Sequence, residues 1–242
     1  MSLLSRALYL RWQVFRCRQK SDTATRFLLE LARHVASAPR SEDPAPFLEI
    51  GTRAGGSALL MLRILESVYP IRARKPLVLT VDPYGTRPYE GAPFIYDDRH
   101  YGAMKRVLAR YPNHVHYMMD SELFLDLLDR LYLWREGVKR PLDRFSLVYL
   151  DGSHDVEIVW REIEQLLPRV VPGGTLIVDD TDWFDGAIRK RLDAMHQPLV
   201  GTPRHNGKQT IIEVPSAGAT SAPLPAASTA GRASNTRSER NR

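Results

Sequence analysis

FLEIGTRAGGSALLML, residues 47–62, is the stretch on which the fold turns. Phe47, Leu48 and Ile50 read as the end of a buried strand. Gly51, Gly55 and Gly56 interrupt it, and Ser57 opens an apolar run that predicts a helix over about 56–68. Glycines at such a point let the backbone turn sharply and approach a ligand closely. The helix N-terminus behind them offers N–H groups and a positive dipole end, suited to a carboxylate or a phosphate. The spacing is E-x-G-x-x-x-G-x-S and not G-x-G-x-x-G, and tight packing without a ligand also explains turns of this kind.

Outward from this unit the same alternation repeats. Residues 21–38 read as a helix with Ser21 or Asp22 as cap, ended by Pro39, Pro44 and Pro46. A second strand, 77–81, ends at Asp82. Residues 83–101 show no periodicity and hold five aromatics among Gly and Pro; a segment this long is expected to serve function or to be disordered. A helix near 102–111 leads to a third strand in HVHYMMDS, and a helix is predicted over 122–135 with REGVKRP as a turn. Strands at 145–150 and in VPGGTLIVDD flank a helix at 155–168, and another helix follows at about 184–195. Two late strands, near 198–203 and 209–214, are joined by a turn at His205, Asn206 and Gly207. Seven strands alternating with helices predict an α/β fold: a doubly wound, mostly parallel sheet with one antiparallel strand at its end. The organisation expected is a helical arm at 1–38, one domain at 39–214 and a disordered tail at 215–242, which is rich in Ala, Ser, Thr, Pro and Arg.

The charge of +6 is not a property of the whole chain. Residues 1–20 carry Arg6, Arg11, Arg16, Arg18 and Lys20 with no acid, and residues 215–242 carry four Arg and one Glu. The body between is left slightly acidic, which argues against nucleic acid as substrate. The single cysteine, Cys17, excludes an internal disulfide framework and fits a cytoplasmic protein. No apolar run is long enough for a transmembrane helix. The acid-free N-terminus reads as an amphipathic helix packing on the domain or on a second copy in a homodimer; a targeting segment and a membrane-surface helix are the other readings.

In open sheets of this class ligands bind at the carboxyl ends of the strands, so candidate residues are those at strand ends. Asp82 is placed to accept hydrogen bonds from ribose hydroxyls, or it only forms the turn before Pro83. Asp120 and Ser121 fall where an adenine edge would lie, or cap the next helix. The fourth strand ends at Asp151 and the fifth at Asp179 and Asp180, so three carboxylates are expected to converge. Like charges so close raise one another's pKa unless a cation is present, and hard oxygen ligands suit Mg²⁺ or another divalent ion. Alternatively Asp180 or Asp182 caps a helix and Asp151 touches only cofactor or substrate. His154, three residues past Asp151, is a base near neutral pH or a loop histidine bonded to backbone. Asp97, Asp98 and His100 lie in the irregular segment and read as solvated or substrate-facing.

The series FLEIGTRAGGS, LTVDP, YMMDS, YLDGSH and PGGTLIVDD, over residues 47–214, resembles class I S-adenosylmethionine-dependent methyltransferases. It is most similar to small-molecule O-methyltransferases related to catechol O-methyltransferase and to metal-dependent sugar methyltransferases. The resemblance implies that Glu49, Gly51, Thr52 and Ser57 lie around the methionine part of S-adenosylmethionine, that Asp82 holds its ribose, and that Asp120 and Ser121 border its adenine. It implies that Asp151, Asp179 and Asp180 are metal ligands, Asp151 also lying against the cofactor; His154, where the catechol enzymes place a lysine base, or Asp151 is expected to remove the proton of an acceptor hydroxyl. The expected partner is a small hydroxylated molecule, a sugar or a phenol. A metal-free methyltransferase, a nicotinamide-dependent oxidoreductase and a non-catalytic subunit are the alternative readings.

Overall fold

The computed structural model of the 242-residue chain describes residues 21–37, 43–69, 74–85, 97–135, 137–195 and 201–216. The N-terminal arm before residue 21, most of the 83–101 segment, the first half of the strand expected at 198–203 and nearly all of the tail lie outside them; residues 201–203 are not strand, and the strand stands at Arg204–Asn206 instead.

Seven strands form one sheet: β1 (Phe47–Ile50), β2 (Val78–Val81), β3 (His114–Tyr117), β6 (Phe145–Leu150), β7 (Val170–Val178), β8 (Arg204–Asn206) and β9 (Gln209–Glu213). Their order is β3-β2-β1-β6-β7-β9-β8, and β9 is the one strand that runs against the others. The expected doubly wound, mostly parallel sheet is thus what the chain forms. The chain moves outward from β1 to β3, then returns to the other side of β1 as β6. The strand order reverses between β1 and β6, the place where sheets of this kind open a crevice.

Both faces of the sheet are covered, which is why its central strands β1, β2 and β6 are apolar at nearly every position. Along β6, Leu147 and Tyr149 face one layer and Val148 and Leu150 the other. The first layer is α1 (Ser21–Ser37), α2 (Gly56–Val68) and α3 (Asp98–Leu108). Phe27, Leu31 and Val35, four apart on α1, form the stripe that this helix buries. The second layer is α4 (Ser121–Leu127), α5 (Val156–Leu166) and α6 (Trp183–Ala194).

Three sequence expectations are corrected. The helix foreseen over 122–135 stops at Leu127, passes through a 3₁₀ turn at Leu128–Arg130, and gives way to a hairpin, β4 (Tyr132–Arg135) and β5 (Val138–Pro141). Gly137 supplies the left-handed turn at φ 79°, and the alternation of Leu133 inward with Tyr132 and Trp134 outward is a strand period overlaid on a helix-like one. Helix α3 begins at Asp98 because Asp97 caps it, accepting from the N–H groups of Arg99 and His100. The last hairpin turns at Gly207 and Lys208, one residue later than expected, with Gly207 at φ 65°.

Candidate active site

One line of hydrogen bonds fixes which residues stand side by side at the carboxyl edge. The N–H of Asp82 bonds Tyr117 O, that of Gly51 bonds Val81 O, that of Asp151 bonds Ile50 O and that of Asp179 bonds Leu150 O, at 2.8–3.2 Å. Each residue just past a strand is therefore tied to the last carbonyl of its neighbour. Asp82, Gly51, Asp151 and Asp179 form one row, spaced by the strand separation of about 4.8 Å. Gly51 is at φ 94°, and a Cβ there would lie 2.0 Å from the Asp151 carbonyl oxygen. The glycine is thus required by the close approach of β1 to β6 as well as by the turn. Arg53, Tyr84 and Asp180 take left-handed backbones just past β1, β2 and β7. Such conformations cost a non-glycine residue about 1 kcal/mol or more each.

Glu49 is fully buried on the α2 side of β1. It accepts a very short hydrogen bond from the Ser57 hydroxyl, and its Oε2 has no partner. Burial pushes its pKa up to about 8. Thr52 is buried in the same turn, its carbonyl accepting from Gly55 N–H at 2.8 Å. Asp82 is buried and accepts from Arg53 N–H at 2.8 Å and Tyr84 N–H at 3.0 Å, binding the two turns together. Burial nevertheless holds its pKa above the ordinary value. Tyr84 closes the loop by donating its hydroxyl to Arg53 O. Asp120 accepts from Leu123 N–H at 2.8 Å, so it caps α4, and Ser121 is the first residue of that helix. The capping is observed; each Asp120 oxygen retains acceptor capacity.

At the other end of the row Tyr149 joins two acids. Its hydroxyl lies 2.9 Å from Asp179 Oδ2 and 3.3 Å from Asp151 Oδ2, while its ring stacks on Phe27 of α1 at 4.2 Å. Burial, then the charges of Asp179 and Asp180, hold Asp151 well above the usual carboxylate range. Burial and Asp180 raise Asp179 as well. Asp180 behaves differently: Lys208 Nζ sits 2.8 Å from its Oδ1 and His154 Nε2 3.2 Å from its Oδ2. Burial works against ionisation there, but these two partners outweigh it and the pKa is lowered. The His154 ring meets Trp183 edge-on at 4.1 Å. Neither Asp180 nor Asp182 caps α6 with its side chain. Asp97 and His100, bonded to each other at 2.9 Å, belong to the α3 cap.

The strand ends thus assemble Glu49, Gly51, Thr52, Ser57, Asp82, Asp151, Asp179, Asp180 and His154, with Asp120 and Ser121 at the β3 end. Sequence reasoning missed Tyr149 and Lys208. Tyr149 sits in an apolar strand and reads as core; Lys208 comes from a turn some thirty residues past Asp180. Among the described residues no ion pair reaches Glu49, Asp82, Asp151 or Asp179. Among the described residues Asp179 Oδ1 is enclosed without a hydrogen-bond partner, so Asp151 and Asp179 are the carboxyls whose hard oxygens could hold a divalent ion. Asp180 is already engaged at both oxygens, and among the described residues no three His, Cys, Asp or Glu side chains gather as a metal shell.

The profile of a family described as a methyltransferase domain matches residues 48–181. Demethyldecarbamoylnovobiocin O-methyltransferase of Streptomyces niveus is 28% identical over 148 residues, covering 57% of this chain and 53% of that protein. The chain therefore spans about half the length of that curated relative. The O-methyltransferase TomG of Streptomyces achromogenes, solved with S-adenosylmethionine, superposes with TM-score 0.50 at 18% identity, over 79% of this chain and 80% of its own. A TDP-rhamnose 3'-O-methyltransferase of calicheamicin biosynthesis gives 0.51 at 17% identity, over 77% and 76%. At these identities the structural likeness speaks for the fold.

Proposed function

This chain belongs to the methyltransferase domain family, and on that premise we propose that it transfers a methyl group from S-adenosylmethionine to a hydroxyl oxygen of a small molecule. Family membership leaves no ground for the oxidoreductase alternative. The observation that carries the reading is the row of enclosed carboxyls at the strand ends, Glu49, Asp82, Asp151 and Asp179, which no ion pair reaches among the described residues. An adenosyl sulfonium donor, with an ammonium and a sulfonium charge, is the kind of ligand such a row lacks.

In this reading Glu49 faces the positive charge of the methionine part, and the α2 N-terminus with Ser57 receives its carboxylate. Asp82, its oxygens held by Arg53 and Tyr84 N–H groups, takes the ribose hydroxyls, and Asp120 with Ser121 borders the adenine. Bound at this edge, the cofactor supplies an already electrophilic methyl group, and a divalent ion at Asp151 and Asp179 would lower the pKa of an acceptor hydroxyl. The residues of the chain do the rest. Asp180 and Trp183 hold the His154 ring. In the neutral ring, donation by Nε2 to Asp180 makes Nδ1 the basic nitrogen, an oriented base for the acceptor proton. Tyr149 keeps Asp151 and Asp179 together. Trp183, 40% exposed, supplies an apolar wall against which a sugar or aromatic ring can rest and from which water is excluded.

The test is incubation with methyl-labelled cofactor and a panel of phenols and glycosides, with product analysis by mass spectrometry. Label on a hydroxyl oxygen, lost in His154→Ala and in Asp82→Ala, is the expected result. Label on nitrogen or carbon, or undiminished transfer by His154→Ala, overturns the proposed chemistry.

A further inference from the structure

Nothing in the sequence marks Lys208, a single lysine in a turn, yet the fold delivers it to the catalytic edge. Its main chain is pinned: Thr181 N–H and Oγ1 both donate to Lys208 O, at 2.9 and 2.8 Å, and Arg189 donates to the preceding carbonyl, Gly207 O, at 2.6 Å. From this anchor the side chain passes beside the Trp183 ring, Nζ 5.9 Å from its centre, and ends 2.8 Å from Asp180 Oδ1. Asp180 holds a left-handed backbone at φ 48°, so the carboxylate that meets Lys208 sits on a strained residue. With His154 on Oδ2, Asp180 has both oxygens occupied, whereas Oδ1 of the adjoining Asp179 has no hydrogen-bond partner among the described residues.

We propose that Lys208 is a tethered cation that occupies the third strand-end carboxylate, and that a divalent ion must displace it to use Asp180. This rests on the reading above that Asp151 and Asp179 seat such an ion. An ammonium and a divalent ion compete for the same oxygen, and a fixed unit charge a few ångströms from the ion's seat weakens binding. The exchange is reversible by construction, because the anchor is the backbone and the four-carbon stem is one-third exposed and can swing to solvent. Lys208 is therefore a positioning residue. It holds the Asp180 carboxylate and, through it, the His154 ring in place while the ion is absent, and it keeps the ion's affinity low.

Calorimetric titration of the full chain with Mn²⁺ tests this, with free Mn²⁺ followed in parallel by electron paramagnetic resonance. Lys208→Met is expected to bind Mn²⁺ about tenfold or more tightly than wild type. Lys190→Met, which removes the same charge from an exposed position on α6, is expected to bind as wild type does. The double variant Lys208→Met, Asp180→Asn is expected to lose the gain. Thermal melts report folding, and Lys208→Gln replaces the Met variant if that one unfolds. Wild-type binding with no gain in either Lys208 variant overturns the inference about Lys208 alone. No Mn²⁺ binding by any variant overturns it together with the divalent-ion reading.

Discussion

Glu30 and the Asp151–Asp179 pair are buried acids with opposite fates. Glu30, on α1, receives both terminal nitrogens of Arg204 at 3.0 and 2.7 Å, Asn206 at 2.8 Å and Arg33 at 3.1 Å. Burial acts to raise its pKa, but the hydrogen bonds and charge of Arg204 outweigh it and the pKa is lowered. Asp151 and Asp179 share one Tyr149 hydroxyl, and burial, with the charge of Asp179 on Asp151 and of Asp180 on Asp179, raises both. Where an acid only docks a helix on the sheet, the fold brings a guanidinium to it. Where the acids line the crevice, the fold leaves the positive charge to be supplied from outside. Lys208 on Asp180 is the intermediate case, a cation supplied by the chain at the rim of the crevice.

Breaking the satisfied side should have the largest effect. Arg204→Met leaves Glu30 buried with its main partner gone. Removing one partner of a buried pair costs up to several kcal/mol, and with Arg204 39% exposed a loss of about 2 kcal/mol is expected in urea unfolding. A variant as stable as wild type would show that Glu30 does not depend on its guanidinium.

The unsatisfied side should answer in the opposite sense. Asp179→Asn removes one of two repelling carboxyls, so the ligand-free protein is expected to match or exceed wild-type stability, by up to about 1 kcal/mol. Turnover is expected to fall by about 100-fold or more, roughly 3 kcal/mol in the barrier. Destabilisation together with full activity would reverse the assignment.

Glu162 sharpens the contrast within the second helical layer. It is buried on α5, and burial pushes its pKa up to about 7, a hydrogen bond with Ser121 offsetting only part of the rise. A raised folded-state pKa gives stability that is full below the unfolded value of about 4.5 and is lost as pH rises through about 7. Glu162→Gln should therefore stabilise by about 1 kcal/mol at pH 8 and show no gain below pH 4.5, in thermal melts across that range. A gain independent of pH would mean that charge is not the cause.

Most of the fold was legible because the central parallel strands are short apolar runs ending in an acid or a glycine, as in LTVD and VYLD. That pattern alone places the row at the carboxyl edge. The 132–141 hairpin was not legible, since LLDRLYLW carries helical and strand periods at once and only tertiary contacts decide between them. Tyr149 was hidden for a different reason: its ring packs like any core residue, and only the position of its hydroxyl between two strand ends gives it a role. Lys208 depends on a turn that shifted by one residue, a scale at which sequence patterns are silent.

Calorimetry with S-adenosylhomocysteine measures most directly whether this edge is a cofactor cradle. The wild-type chain is expected to bind one equivalent, and Asp82→Ala, with its fold checked by melting, is expected to bind at least about tenfold more weakly. No binding by the folded wild type, or equal affinity in Asp82→Ala, would contradict the account.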